Sequence, residues 1–202
     1  MNDKAGKLDH ASMQRAMRIS VIDGMFGNAG ENLIGPFLTL FALALGATKG
    51  QIGLLAALPA LLSNSLQIPA AQLAQRWGER QRLVVITSGI SRLTIIPIAL
   101  VPLMLEGDAA IYTFIALVTL RGLTNSIGVP AWTAIMADIT PRHGRGSYFG
   151  YRNVMCNLAA LVGTLVAGWC IRRYDFPLGY QVSFFLALAL GLTATYFFST
   201  IP

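Results

Sequence analysis

Glu31 and Arg121 are ionisable residues that lie in apolar stretches long enough to cross a bilayer. Placing a charged side chain in hydrocarbon costs several kcal/mol, so such residues usually face a partner, a water-filled cavity or a solute pathway. A carboxylate can carry a proton, and a guanidinium group can bind an anion or pair with the carboxylate. The two residues therefore indicate a polar site inside a membrane protein.

Their depths follow from helix geometry. Glu31 lies about 18 Å along a helix from Ile19, and Arg121 about 17 Å from Ala110 on the opposite side. Both reach the bilayer midplane, which allows an ion pair or a ligand shared between them. A purely structural counter-ion is the alternative role for Arg121.

Arg92 is a third deep charge, about 14 Å from Leu83. Two placements remain open for it. Its side chain either extends to the membrane surface or pairs with a carboxylate such as Asp23.

Other polar residues accompany the charges on the first, second, fourth and fifth apolar stretches. They are candidates for a substrate or proton pathway, although polar amides also hydrogen-bond neighbouring helices. The predicted pathway residues are Glu31, Arg121, Asn28, Asp23, Asn64, Asn125 and Asn157. Small residues at helical spacing predict close helix packing. They are Gly24, Gly27 and Gly30 on the first stretch, and Ala160, Thr164 and Gly168 on the fifth.

The composition explains how these residues are positioned. Of 202 residues, 54% are hydrophobic and 12% are charged, and the mean hydropathy is +0.59. Soluble domains carry about twice that charged fraction. The apolar residues fall into six blocks of membrane-spanning length. These run Ile19–Leu45, Ile52–Leu73, Leu83–Leu105, Ala110–Met136, Tyr148–Ile171 and Tyr180–Phe198.

This pattern predicts an all-α polytopic membrane protein, with a leader at 1–18 and one six-helix domain at 19–202. Gly35-Pro36 predicts a kink in the first helix. The leader is polar and the first span is long, which argues against a cleavable signal peptide.

The net charge of +6 has an explanation other than nucleic-acid binding, because the basic residues mark one side of the membrane. The positive-inside rule places both termini in the cytoplasm of a protein of the cell membrane. The residues concerned are Lys4, Lys7, Arg15, Arg18, Arg76, Arg80, Arg82, Arg142 and Arg145.

Chemistry beyond binding finds little support in the sequence. Cys156 and Cys170 would lie about 21 Å apart on one helix, too far for a disulfide. No metal-ligand spacing, phosphate-binding glycine loop or nucleophile–base pair is present. We therefore expect no cofactor, no metal and no enzymatic activity.

Two cytoplasmic segments carry a family resemblance. The stretch from Ala137 to Gly150 reads ADITPRHGRGSYFG, and the stretch from Leu73 to Arg80 reads LAQRWGER. Both resemble loops of the major facilitator superfamily, and Gly122 and Pro130 resemble its fourth helix. The resemblance implies an N-terminal six-helix half of a twelve-helix transporter, with helices one and four lining a cavity and helices three and six outermost. It implies gating roles for Arg76, Gly78, Arg80, Asp138 and Arg145.

The sequence also departs from the family pattern. The loop's usual glycine, aspartate and basic residue are replaced by Ala71, Gln75 and Glu79, so its charge network is altered. The fourth-helix arginine of the family corresponds to Val118, and Arg121 is displaced from it by about one helical turn.

The expected function is secondary active transport of a small solute by alternating access, with proton coupling through Glu31 as an option. The alternative is a membrane-embedded interaction or assembly module that transports nothing. A full cavity requires a second six-helix half, either the remainder of a longer chain or a second copy. The absence of a basic tail after Pro202 favours the longer chain.

Overall fold

A computed structural model describes residues 10–76, 78–140 and 144–200. These ranges are almost entirely helical and contain no strand, which confirms the all-α prediction. The α-helices are α1 His10–Asn32, α2 Leu38–Ala44, α3 Lys49–Ser65, α4 Gln67–Arg76, α5 Arg80–Leu93, α6 Ile95–Met104, α7 Gly107–Ile139, α8 Arg145–Arg173 and α9 Leu178–Ser199.

Several of these helices are long and apolar enough to cross a membrane. Four segments of the described residues qualify: Arg80–Met104, Gly107–Ile139, Arg145–Arg173 and Leu178–Ser199. A fifth forms if α3 and the adjoining part of α4 are taken together, with a bend of 42° between them. The first predicted span, Ile19–Leu45, is the one that does not qualify, because α1 is rich in polar residues.

The first predicted span is broken where its sequence contains Gly35-Pro36. Helix α1 ends at Asn32, a 3-10 turn covers Gly35–Phe37, and α2 begins at Leu38. The break leaves main-chain carbonyls without helical partners. The Ser183 hydroxyl of α9 donates to one of them, the Leu33 oxygen, at 2.8 Å. The predicted kink is confirmed, and a neighbouring helix stabilises it.

The helices form two groups that flank a cleft. Helix α1 packs against α8 and α9, whereas α7 packs against α3, α4 and α5. Helices α1 and α7 make few direct contacts with each other, while α5 and α9 pack together. Consequently α1 and α7 form the two walls of the cleft, and α5 and α9 form its floor.

Glycines allow α1 to approach its neighbours closely. A Cβ atom on Gly163 of α8 would lie 2.4 Å from the Ala29 carbonyl oxygen, and one on Gly30 would lie 3.0 Å from the Ala187 carbonyl oxygen. Lipid provides no hydrophobic drive for helix association, so such close packing supplies much of the attraction.

The packing face of α8 differs from the predicted one. Its buried positions are Arg152, Cys156, Gly163, Ala167 and Cys170. Ala160, Thr164 and Gly168 are only partly buried. The true face lies beside the predicted one, because small residues occur on both and only the contact with α1 distinguishes them.

An aromatic cluster closes the end of the bundle farthest from the start of α1. The ring of Phe41 lies 5.1 Å from that of Phe114, 5.2 Å from Tyr180 and 5.3 Å from Phe184, measured between centroids. All four rings are buried. Tilted aromatic pairs of this kind stabilise contacts beyond simple burial. They join α2, α7 and α9 around the end of the cleft.

Candidate functional site

Glu31 of α1 and Arg121 of α7 form an ion pair across the cleft. Arg121 Nη1 donates to Glu31 Oε1 at 3.1 Å, and Nη2 donates to the second carboxylate oxygen. The Arg121 side chain is 12% exposed, whereas that of Glu31 is 55% exposed. The sequence allowed this pair, and the structure contains it. The arginine is buried in its wall while the carboxylate remains open to the uncovered side of the cleft.

Arg92 enters the site from the floor. Its side chain lies along Gly191 of α9, where an added Cβ would approach Arg92 Cδ to 3.0 Å. It interacts electrostatically with both Asp23 and Glu31, and with Arg121. The side chain thus lies inside the cleft near both carboxylates, but it forms no ion pair with either of them among the described residues, so the predicted pairing with Asp23 stays a prediction. A glycine at 191 provides the space for the Arg92 side chain.

A second layer of charge surrounds Asp23. Arg152 of α8 is only 8% exposed, and its Nε donates to the Ser20 carbonyl and hydroxyl oxygens at 3.3 Å each. Its guanidinium carbon lies 5.2 Å from the centroid of the Trp132 ring, a cation–π geometry. Asp23 is buried, and Arg92 and Arg152 are the cations that act on it.

The sequence did not identify Arg152, which lies near the start of a span where arginines commonly extend to the surface. Its position on the helix relative to Cys156 could have identified it. Arg152 precedes Cys156 by one turn, and both lie on the buried face of α8. That face was not the one predicted for close packing.

Two cavities connect these charges. The larger, about 330 Å³, is lined by Asp23, Asn28, Arg152 and Trp132 among others. The smaller, about 170 Å³, is lined by Glu31 and Arg121 among others. Arg92, Asn125, Gly27 and Ser88 line both. The two cavities are therefore adjacent parts of one polar cleft, with Arg92 at their junction.

Five of the seven predicted pathway residues come together there: Glu31, Arg121, Asn28, Asp23 and Asn125. The Asn28 amide also donates to the Gly24 carbonyl of its own helix at 2.7 Å. Asn64 and Asn157 line neither cavity. Asn64 is exposed and accepts a hydrogen bond from Gln67 at 3.1 Å, and Asn157 is exposed on α8.

The predicted gating residues lie at the end of the bundle that contains the α4–α5 and α7–α8 connections. Arg80 Nη1 pairs with Asp138 Oδ2 at 3.2 Å and so links α5 to α7. Arg145 Nη2 donates to the carbonyls of Ala137 at 2.8 Å and Thr140 at 3.0 Å, at the C-terminus of α7. Gly78 has φ +68°, which a turn before α5 requires. The Arg76 side chain lies outside the described residues.

The cleft can bind and hold charge, and its groups suit ion pairing and proton transfer rather than nucleophilic chemistry. From one end to the other it alternates in sign: Arg152, Asp23, Arg92, Glu31 and Arg121. Among the described residues, no group of three histidine, cysteine or acidic side chains is placed to hold a metal ion.

Several known proteins are similar to this chain. It is 25% identical over 186 residues to a protein of Planococcus maritimus described as a Na(+), Li(+), K(+)/H(+) antiporter, an alignment that covers 91% of this chain and 42% of that protein. It is 26% identical over 167 residues to an MFS-type transporter of Methanocaldococcus jannaschii, covering 82% and 40%. It is 25% identical over 168 residues to the quinolone resistance protein NorA of Staphylococcus aureus, covering 82% and 39%.

The chain thus spans about two fifths of the length of the curated relatives it matches. Residues 24–202 match the family described as the Major Facilitator Superfamily. The match includes both segments that carry the resemblance, the whole of α7 and the part of α1 from Gly24 onward. It also accounts for the apolar helices of a multi-pass membrane protein, in a family of transporters rather than enzymes. This chain belongs to the Major Facilitator Superfamily.

Proposed function

We propose that this chain forms one half of a secondary active transporter that moves a small solute by alternating access. The observation that carries the proposal is the charged cleft between α1 and α7, open on one side and bridged at mid-depth by Glu31 and Arg121. Membrane transporters among the relatives support it. A second six-helix half, from the same chain or from another copy, would cover the open side.

In this proposal Glu31 is the proton-coupling group. Its carboxylate is accessible from the cleft, whereas its partner Arg121 is largely buried. Protonation of Glu31 would release Arg121 from the ion pair and weaken the bridge between the two walls. Since the walls belong to different helix groups, proton binding would then be linked to the width of the cleft.

The gating proposal concerns the other end of the cleft. The Arg80–Asp138 pair joins α5 and α7, and Arg145 holds the C-terminus of α7. Both arginines lie on the side that the positive-inside rule assigns to the cytoplasm of the cell. We infer that these contacts break when the cytoplasmic side opens.

The test is proton flux in liposomes that contain the purified protein and a trapped pH-sensitive dye. The solutes added are sodium, lithium and potassium salts, a quinolone, acetate and phosphate. At least one should drive proton movement, and Glu31→Gln should abolish it. Glu106→Gln is the matched control, because Glu106 is exposed in a connection outside the cleft.

Each outcome has a distinct meaning. Unchanged flux in Glu31→Gln contradicts the coupling role and leaves transport itself intact. The absence of flux with every solute favours a membrane-embedded interaction or assembly module instead. Loss of flux in both Glu variants indicates a general defect of folding or insertion and counts against a specific role for Glu31.

A further inference from the structure

The charges that line the cleft do not balance. Among the described residues, its two cavities are lined by two carboxylates, Asp23 and Glu31, and by three guanidinium groups, Arg92, Arg121 and Arg152. One positive charge is left over. An uncompensated charge at membrane depth is costly, so a further anion in this cleft would be stabilising.

The hydrogen bonds locate the imbalance. Arg121 uses both Nη atoms on Glu31, while its Nε is buried and has no partner among the described residues. Arg92 Nη1 is likewise buried without an acceptor. Arg152, in contrast, is bonded to Ser20 and stacked on Trp132. The unmet donors therefore belong to the two arginines that line the smaller cavity.

We propose that the cleft selects solutes that carry an anionic group, a carboxylate or a phosphate, and that Arg92 binds this group. The proposal rests on the proposed transport function and adds the substrate class. A planar guanidinium group with free N–H donors matches the oxygens of either anion. Arg92 lies where the two cavities join, so an anion held there can be reached from both.

The electrostatics argue against an alkali-metal cation at the same place. A cation beside Arg92 would lie close to three guanidinium groups, and the two carboxylates that could attract it are already engaged with those groups. The substrate class proposed here thus differs from the ions named for the Planococcus maritimus relative.

Trp132 provides a test that needs no knowledge of the natural solute. It lines the larger cavity together with Arg92. With Trp77 and Trp169 changed to Phe, its fluorescence reports the ions that reach the cleft. We expect iodide to quench it better than caesium by about sixfold, relative to the same ratio for free N-acetyltryptophanamide, because one unit charge about 8 Å away in a wet site attracts iodide and repels caesium by about 2.4-fold each.

Variants assign the effect to the named charges. Arg152, which stacks on Trp132, contributes to the iodide preference in every variant. Arg92→Gln should lower the preference. Arg82→Gln should not, because Arg82 lies on the same helix but is exposed and paired with Glu79. Asp23→Asn should increase the preference by up to about sixfold. The opposite direction of this change keeps the test decisive if Arg92→Gln fails to fold.

Displacement identifies the anion. At constant ionic strength, acetate or inorganic phosphate should reduce iodide quenching, whereas tetramethylammonium should not. The anion that reduces quenching more indicates whether the solute carries a carboxylate or a phosphate. The proposal is wrong if iodide has no advantage over caesium, or if the advantage is unchanged in Arg92→Gln. A missing advantage is expected if a carboxylate from the second half neutralises Arg92. Quenching requires no transport, so it can succeed or fail independently of the flux measurement.

Discussion

Removing Glu31 and removing Arg121 leave different unpaired charges in the cleft. Without Glu31, a largely buried guanidinium group remains unpaired beside Arg92. Without Arg121, a carboxylate that is more than half exposed remains, and Arg92 can still attract it. An unpaired buried charge is strongly destabilising, whereas an exposed one is not. The pair is therefore asymmetric in its contribution to stability.

This asymmetry predicts that Glu31→Gln destabilises the protein more than Arg121→Gln. We expect a loss of about 1–3 kcal/mol for Glu31→Gln, since the pair is only partly buried, and less than about 1 kcal/mol for Arg121→Gln. Thermal unfolding in a mild detergent measures both, at about 2–4 °C per kcal/mol for a chain of this size.

The double variant completes the cycle. If the two residues interact directly, its cost should be smaller than the sum of the single costs. Additive costs, or a larger loss for Arg121→Gln, would contradict the asymmetry. Glu106→Gln serves again as the control, because the Glu106 side chain makes no capping hydrogen bond to the start of α7.

For single residues, the sequence predicted the depth of a charged side chain in the membrane better than the neighbours that the side chain faces. Counting residues along two helices brought Glu31 and Arg121 to one level, and the structure pairs them. The same count left Arg92 undecided, because its neighbour Gly191 lies on a helix distant in sequence. Arg152 was missed because the packing face of α8 depends on its contact with α1.

Helix α8 shows how two glycines on one element can have opposite roles. Gly163 faces the backbone of α1, where an added Cβ would approach the Ala29 carbonyl oxygen to 2.4 Å. Gly168 faces only the ring of Phe37, at 3.9 Å from an added Cβ. One contact is with backbone and cannot yield, whereas the other is an ordinary van der Waals distance.

We therefore predict that Gly163→Ala destabilises the protein and that Gly168→Ala does not. Forcing α8 away from α1 should cost about 1–3 kcal/mol or more. Gly168→Ala should be neutral or stabilising by up to about 1 kcal/mol, because alanine favours the helix. Thermal unfolding of the two variants side by side removes the common effect of helix propensity, and equal changes in both would contradict the close approach.

Element boundaries were easier to predict than element faces. Apolar length predicted the spans, and Gly35-Pro36 predicted the break between α1 and α2. Helix α9, free of charge, was expected on the outside with the third helix. In the structure α9 has an exposed apolar side with Phe185, Leu192 and Tyr196. Its other side is buried through Ser183, Ala187 and Gly191, where α9 forms the cleft floor with α5. Hydropathy cannot distinguish a lipid-facing side from a packed apolar side, since both are apolar.

At the scale of the whole molecule, the cleft has two walls and a floor but one uncovered side. Polar and charged residues are exposed there, as Glu31 and Asn125 illustrate. A surface of this kind at membrane depth is poorly suited to lipid. Relatives more than twice as long as this chain are compatible with the covering half that the proposed function requires.

Orientation is the last property of the whole molecule that can be measured directly. Glu79 and Glu106 are exposed residues at opposite ends of the segment Arg80–Met104, which is 25 residues long and spans about 37 Å. The arginines cluster at the Glu79 end, so the positive-inside rule places Glu79 in the cytoplasm and Glu106 outside. With Cys156 and Cys170 changed to Ala, Glu106→Cys should react with a membrane-impermeant maleimide in intact cells, and Glu79→Cys only after permeabilisation. Labelling of Glu79→Cys in intact cells would reverse the orientation, and with it the assignment of Arg80, Asp138 and Arg145 to a cytoplasmic gate.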